Sequence, residues 1–245
     1  MTLRGKNIIV TGAAGGIGRA MVKLFVENGA FVWACARTPR TDSQEFFSSF
    51  GDRVEAVYFD LADETATTGA MKGIIKEKKT IHGLVNNAGT VSENRLFVMT
   101  PMNVIRQIFD VNFFSQVLIT QWVAKAMMRS PESKHSIVNL SSIAALDGDP
   151  GQLEYVSSKA AIIGMTKKLS REFRSSGVNI RVNAVAPGVT ETKMIAGMSD
   201  DFKRKALAAS GAEQAGSPES IADIVMFLLS DRSDRINGQV IRADA

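Results

Sequence analysis

Residues 7–18, NIIVTGAAGGIG, constrain this chain more than any other stretch. NIIV is an apolar run of buried-strand length, TGAAGGIG follows at once, and an amphipathic segment, Arg19 to Asn28, comes next. The order is strand, glycine turn, helix. Glycine suits such a turn because a Cβ penalises the backbone angles it needs, and because a bare backbone can approach a pyrophosphate closely. The start of the helix then offers unpaired N–H groups and the positive end of its dipole. With a strand before and a helix after, Thr11, Gly12, Gly16 and Gly18 point to nucleotide binding rather than to a purely structural turn.

The rest of the chain repeats the theme. Gly29 stops the first helix, and FVWACA (31–36) is a second apolar run. VEAVYFDL (54–61), HGLVNN (82–87), SIVNLSS (136–142), VNIRVNAVAP (178–187) and QVIRA (239–243) follow, separated by helical or mixed segments. Parallel strands need crossover connections, so this alternation predicts an α/β fold: a single doubly wound parallel sheet, Rossmann-like, with helices on both faces. At roughly 100 to 200 residues per domain, 245 residues allow one domain or two. No repeat or Pro/Ser/Gly linker divides them, so residues 1–245 are expected to form one domain. The looser segment at about 192–216, with Met194 and Met198, is expected to be a substrate lid before a helix that starts at Ser217 to Glu219.

Charge and composition remove several classes of function. The net charge of +4 is spread without a basic tail, and its densest patches, KEKK at 76–79 and KRK at 203–205, read as solvated helix ends. No nucleic-acid partner is expected. No apolar stretch approaches the roughly 18 residues that span a bilayer, and the N-terminus enters a strand within seven residues. No membrane partner and a cytoplasmic location are therefore expected. One cysteine, Cys35, with only His82 and His135 beside it, offers no zinc cluster, so no metal is expected.

The end of the second strand reads Ala36, Arg37, Thr38. A carboxylate there would bond the ribose hydroxyls of NAD and repel a 2′-phosphate, whereas Arg37 can clamp that phosphate with a forked pair of hydrogen bonds. This favours NADP over NAD. Tyr155 and Lys159 lie four apart in a helical stretch and so share a face. Two tyrosines and 14 lysines in 245 residues give such a pair by chance about one time in nine, so the pair alone decides little. The chemistry suits carbonyl reduction, because a phenol becomes a useful acid and base near neutrality if an ammonium lowers its pKa. Ser142, 13 residues earlier at a strand end, could polarise the carbonyl oxygen.

TGAAGGIG (11–18), NNAG (86–89), Asn112 in DVNFFS, Ser142, YVSSK (155–159) and PGVTET (187–192) stand in the order and spacing of the short-chain dehydrogenase/reductase family, which the whole chain resembles. Within it the chain looks most like the 3-oxoacyl-acyl-carrier-protein reductases. The resemblance implies Tyr155 as general acid and base, and Lys159 as holder of the ribose hydroxyls that lowers the tyrosine pKa. Ser142 would orient the carbonyl, and Asn112 would support a water linking Lys159 to solvent. It implies cofactor contacts at Gly12, Gly16, Ile17 and Gly18, at Asp60 and Leu61 beside the adenine, and at Asn87, Ala88 and Gly89 along the cofactor. Pro187, Gly188, Val189 and Thr192 would meet the nicotinamide end.

The implied reaction is NADPH-dependent reduction of a ketone, on a small molecule or an acyl-carrier-protein-bound substrate, by a homo-oligomer, a tetramer. It would be built through helices at about 101–128 and 155–175. Arg129, Lys167, Lys168, Arg171 and Arg174 are candidates for docking an acidic carrier near the site entrance, against an acidic rim of Asp147, Asp149 and Glu154. Gly15 stands where NADPH-preferring reductases of this group often carry arginine, which leaves Arg37 to meet the phosphate largely alone. The sequence ends at RADA, short of the glycine pair usual there, which bears on the expected assembly. An alcohol or sugar dehydrogenase with the same site, and a nucleotide-sensing or nucleic-acid-binding scaffold, remain alternatives.

Overall fold

In the computed structural model of the chain, the described residues are 2–77, 80–191, 207 and 214–244. Seven strands form one sheet: β1 (Asn7–Thr11), β2 (Phe31–Ala36), β3 (Val54–Tyr58), β4 (Gly83–Asn86), β5 (His135–Leu140), β6 (Ile180–Pro187) and β7 (Val240–Ala243). Their order is β3-β2-β1-β4-β5-β6-β7, and every neighbouring pair is parallel. The chain winds outward from β1 in one direction, then crosses back to β4 and winds the other way. A crevice therefore opens between β1 and β4 at the C-terminal edge of the sheet, the usual ligand position in such folds.

Alternation along each strand builds the two helical layers. Ile8 and Val10 of β1, with Val32, Ala34, Val85, Val138 and Val185, face one side and pack with Met21, Val22 and Phe25 of α1 (Gly16–Glu27), Phe47 of α2 (Thr41–Ser48) and Val225 and Leu229 of α8 (Pro218–Leu229). Ile9, Trp33, Leu84, Ile137 and Val182 face the other, against Met71 and Ile74 of α3 (Glu64–Lys76), Ile119 and Val123 of α5 (Ser115–Met127) and Phe173 of α7 (Leu153–Ser175). Both faces are covered, which is why the strands read as continuous apolar runs rather than alternating ones. A single turn, α6 (Ala144–Asp147), lies between β5 and α7.

Local signals set the boundaries. Gly29, at φ +89°, ends α1 in a conformation that favours glycine. Asp63 accepts from the Ala66 N–H at 2.9 Å to start α3, and Ser217 accepts from Ser220 at 3.1 Å, with Pro218 in the first turn, to start α8. The third strand is shorter than its apolar run. It stops at Tyr58, and Asp60 turns the chain by accepting from the Ala62 N–H at 2.9 Å.

The helix expected at about 101–128 is interrupted. It is α4 (Met102–Phe109), a π-helical turn over Asp110–Phe114, and α5, with Asn112 fully buried in the π turn. Such bulges bend a helix and concentrate at functional sites. A line of buried amides and hydroxyls then crosses the sheet: Asn86 donates to Thr120 and to Asn139, and Asn139 donates to Thr166, all at 2.9–3.0 Å. These bonds tie β4 and β5 to α5 and α7, so the helix that carries Tyr155 is fixed to the middle of the sheet. The segment expected to be a lid, about 192–216, falls for the most part outside the described residues, as do Met194 and Met198. Among the described residues, no helix is long and apolar enough to cross a membrane.

Candidate functional site

The crevice is a cleft of about 570 Å³ at the C-terminal edge of β1, β4, β5 and β6. Its first wall is the glycine turn. Gly12 has φ +64°, and a Cβ there would lie 2.9 Å from Ala88 Cα. A Cβ on Gly18 would lie 2.2 Å from the Gly12 carbonyl oxygen, so only glycine lets the first turn of α1 sit against the end of β1. Gly16, Ile17 and Gly18 thus present the start of α1 to the cleft. This bare backbone at a helix N-terminus fits a pyrophosphate.

Thr11 joins this wall to the next. Its hydroxyl accepts from the N–H groups of Asn87 and Ala88 at 3.0 and 3.1 Å, and the Asn87 side chain donates back to the Thr11 and Gly12 carbonyls at 2.9 and 3.2 Å. Gln116 Nε2 donates to the Ala88 carbonyl from below, at 3.1 Å. Asn87, Ala88 and Gly89, expected along the cofactor, line the cleft. Asp60 and Leu61 line it as well, just past the end of β3, and so does Arg37.

The far end holds the side chains expected to carry the chemistry. Ser142 follows β5, and Tyr155 and Lys159 project from the first two turns of α7 into the same cleft. Ser142 hydrogen-bonds to the Tyr155 phenol. Lys159 is 4% exposed and donates to the Leu140 carbonyl at 2.8 Å. A Cβ on Gly89 would come 3.1 Å from Lys159 Nζ and 3.4 Å from Asn112 Oδ1, so the missing side chain at 89 is what admits the lysine.

Asn112 stands behind the lining. Its amide donates to the Thr90 carbonyl at 2.9 Å and to Ser158 at 3.1 Å, and accepts from the Thr90 N–H at 2.8 Å. The side chain therefore braces α7 against the loop after β4. Pro187 and Gly188 close the cleft, Val189 stands beside it without lining it, and Thr192 lies outside the described residues.

Burial sets the electrostatics of this end. It pushes Lys159 down from the ordinary lysine value to about 8, since a charged ammonium is costly away from water. It pushes the Tyr155 phenol up; the Ser142 hydrogen bond pulls it back down, and the Asp149 carboxylate raises it further. The expectation that Lys159 lowers the tyrosine is not met in this structure. The lysine nitrogen is 5.9 Å from the centre of the tyrosine ring, and burial weakens its own hold on a proton. Cys35 also lines the cleft, but burial, with the nearby Glu55 charge, pushes its thiol up to about 12, which leaves it protonated and inert.

Two expectations about the surroundings change. Glu154 is 1% exposed and accepts from the Ser92 hydroxyl, so it belongs to no rim. Asp147 pairs with Arg242 of β7 at 2.7 Å, an arginine that it shares with Asp244. The acidic rim reduces to Asp147 and Asp149. Four of the five proposed carrier-docking residues are also displaced: Lys167, Lys168, Arg171 and Arg174, but not Arg129, line a separate groove with Asn237, Gly238 and Gln239. At 1.5 Å per residue the nearest, Lys167, is about 18 Å along α7 from Tyr155, because α7 runs from the cleft towards the opposite edge of the sheet. Sequence reasoning passed over Arg40, Phe59, Thr90, Val111, Leu140, Ser141 and Thr190, which line the cleft too. Of these only Arg40 carried a chemical signal, as a second arginine three residues after Arg37.

A family model described as enoyl-(acyl carrier protein) reductase matches residues 12–245, a stretch that contains every lining residue of the cleft except Thr11. The chain belongs to the short-chain dehydrogenase/reductase family. Its relatives include a 3-oxoacyl-(acyl-carrier-protein) reductase of Thermotoga maritima, 35% identical over 100% of this chain and 98% of that protein. A 3α-hydroxysteroid dehydrogenase of Mediterraneibacter gnavus is 34% identical over 100% and 97%. Among solved structures, a short-chain dehydrogenase/reductase of Mycobacterium ulcerans superposes with a TM-score of 0.91 at 25% identity, covering 100% of this chain and 90% of that one. A 3-ketoacyl-(acyl-carrier-protein) reductase of Brucella melitensis, solved with NADH, shares the fold at a TM-score of 0.91 and 24% identity, over 99% and 98%. As a member of this family the chain is an oxidoreductase.

The buried lysine makes a prediction about stability. Its folded state holds the Lys159 proton less tightly than the unfolded chain does, so parent stability should rise relative to that of Lys159→Met as pH climbs from about 8 towards 10.5. Urea unfolding across that window measures it; a difference between the two proteins that does not change with pH would contradict the buried-ammonium account.

Proposed function

We propose that this protein is an NADPH-dependent ketoreductase whose substrate is a 3-oxoacyl thioester, with residues 1–245 acting as one domain. The observation that carries the reading is the convergence of Ser142, Tyr155 and Lys159 on one end of a cleft whose other walls are the glycine turn and Arg37. The cradle fits a dinucleotide, because Gly12 and Gly18 leave backbone where a Cβ would collide, and Gly89 leaves room beside Lys159. A nicotinamide group held there supplies hydride.

The chain's own residues do the rest. The start of α1 binds the pyrophosphate, Asp60 and Leu61 flank the adenine, and Arg37 takes the 2′-phosphate. Asn87, Ala88 and Gly89 lie along the cofactor, and Pro187, Gly188, Val189 and Thr192 surround its nicotinamide end. Lys159, beside Gly89, holds the ribose hydroxyls. Ser142 donates to the substrate carbonyl oxygen and orients it as negative charge grows there. Tyr155 gives its phenolic proton to that oxygen, and Asn112 keeps α7 in register with the loop after β4. A phenol raised by burial stays protonated through neutrality, the state a proton donor needs.

The acyl-thioester assignment is supported by the 3-oxoacyl reductases among the relatives, and by the burial of Glu154, which removes one carboxylate from the rim. A second reading keeps the same site on an alcohol. The hydroxysteroid dehydrogenase relative favours it, and oxidation of a panel of secondary alcohols with NADP and NAD separates the two. Leu96, Phe97, Val98, Met99, Met102 and Phe114 are exposed around the start of α4 and the π turn, an apolar patch that supports a homo-oligomer, which we take to be a tetramer.

Two variants test the reading. Tyr155→Phe should lower turnover of NADPH with an acetoacetyl thioester by about 10²- to 10⁴-fold while NADPH still binds; undiminished turnover would exclude the mechanism. Arg37→Ala should raise the KM for NADPH much more than that for NADH, and equal effects on the two would remove the assignment of the 2′-phosphate to Arg37.

A further inference from the structure

The corner of the cleft beside Arg37 holds a second arginine. Arg40, at the start of α2, lines the same cleft. Its main chain is pinned, because its N–H donates to Ser43 Oγ at 3.3 Å and the Ser43 hydroxyl donates back to the Arg40 carbonyl at 2.9 Å, with Ser43 fully buried. Its guanidinium is held as well: Nε and one terminal nitrogen donate to the two oxygens of Asp42, both at 3.2 Å. A guanidinium fork has further N–H groups to offer beyond those two.

Asp42 is anchored in turn to the glycine turn. Arg19 donates to Asp42 at 2.8 Å and, through Nε, to the Ala14 carbonyl at 3.2 Å, while its guanidinium lies 4.9 Å from the centre of the Phe46 ring. A continuous path of charged hydrogen bonds thus runs from the pyrophosphate turn to the adenosine corner. Arginines 19, 37 and 40 against Asp42 and Asp60 leave a formal charge of +1 there, a net positive corner that suits an anionic group. Gly15 lines the cleft without a side chain and supplies no cation of its own.

We propose that Arg40, held at the cleft mouth by Asp42, is a second ligand of the 2′-phosphate and shares with Arg37 the discrimination of NADP from NAD. The inference rests on the NADPH reading above and is separable from it. Arg37 reaches the phosphate from the end of β2 and Arg40 from the start of α2, so the group is gripped by two elements rather than one. A pair of forks on separate backbones gives a geometry that a single exposed arginine does not.

Calorimetric titration of the full chain with 2′,5′-ADP and 5′-AMP tests this without any turnover. The parent should bind 2′,5′-ADP more tightly than 5′-AMP. Arg40→Ala should weaken 2′,5′-ADP about tenfold and 5′-AMP by less than about twofold, Arg40→Lys should recover part of the loss, and Arg37→Ala/Arg40→Ala should abolish the preference. An Arg40→Ala protein that keeps the parent's preference would overturn the inference and leave the NADPH reading standing. Equal weakening of both ligands would overturn it too, because it would assign Arg40 a role in the fold of α2 alone. A parent with no preference for 2′,5′-ADP would remove the NADPH reading and this inference with it.

Discussion

The architecture depends on one close approach, that of the first turn of α1 to the end of β1. A single Cβ at Gly18 would meet the Gly12 carbonyl at 2.2 Å, and nothing nearby could yield, since the obstacle is backbone. This approach puts the unpaired N–H groups of α1 at the place where the strand order reverses. The Thr11 hydroxyl then fixes the loop after β4 to the same turn through the N–H groups of Asn87 and Ala88. Both walls of the crevice are therefore set at residues 11 and 12, one by a backbone contact and the other by the Thr11 hydroxyl.

The Tyr155 end of the cleft is built differently, from side chains that burial makes costly. Lys159 enters at the one place where Gly89 leaves space, and its neighbours offer a carbonyl rather than a carboxylate, so its affinity for a proton falls to about 8. Asn112, in its π turn, braces α7 against Thr90, and the line from Asn86 to Thr166 holds the same helix to the sheet. Tyr155 and Lys159 share one helix face, so whatever holds α7 sets both groups together. This is the usual pattern of a functional site, in which a strained electrostatic environment is supported by a satisfied polar network.

Much of this was legible in the sequence, for identifiable reasons. The seven strands show as apolar runs because both faces of a parallel sheet are covered, and the glycine turn shows because only glycine tolerates its contacts. Tyr155, Lys159 and Ser142 stand out as a set only through the ordered motifs of the family resemblance, because the tyrosine–lysine spacing alone is near chance. What escaped depends on three-dimensional neighbours. The π turn at Asn112 leaves no mark in a helical periodicity, and Glu154 looks like a rim acid until Ser92 is seen to cover it. Lys167 to Arg174 look like an entrance patch until the direction of α7 carries them to another groove. Arg40 gains its meaning only through Asp42 and Arg19, partners that lie on two different helices. The sign of the Tyr155 shift also depends on burial, which the number of residues between tyrosine and lysine does not report.

The central claim is that one crevice holds a dinucleotide from the glycine turn to Tyr155. A crystal structure of the protein with NADP tests it most directly. The account predicts the pyrophosphate over the start of α1, the adenosine 2′-phosphate at the Arg37 corner, and the nicotinamide ring between Gly188 and Tyr155. A dinucleotide bound elsewhere, or one lying in the crevice with its nicotinamide away from Tyr155, would contradict it.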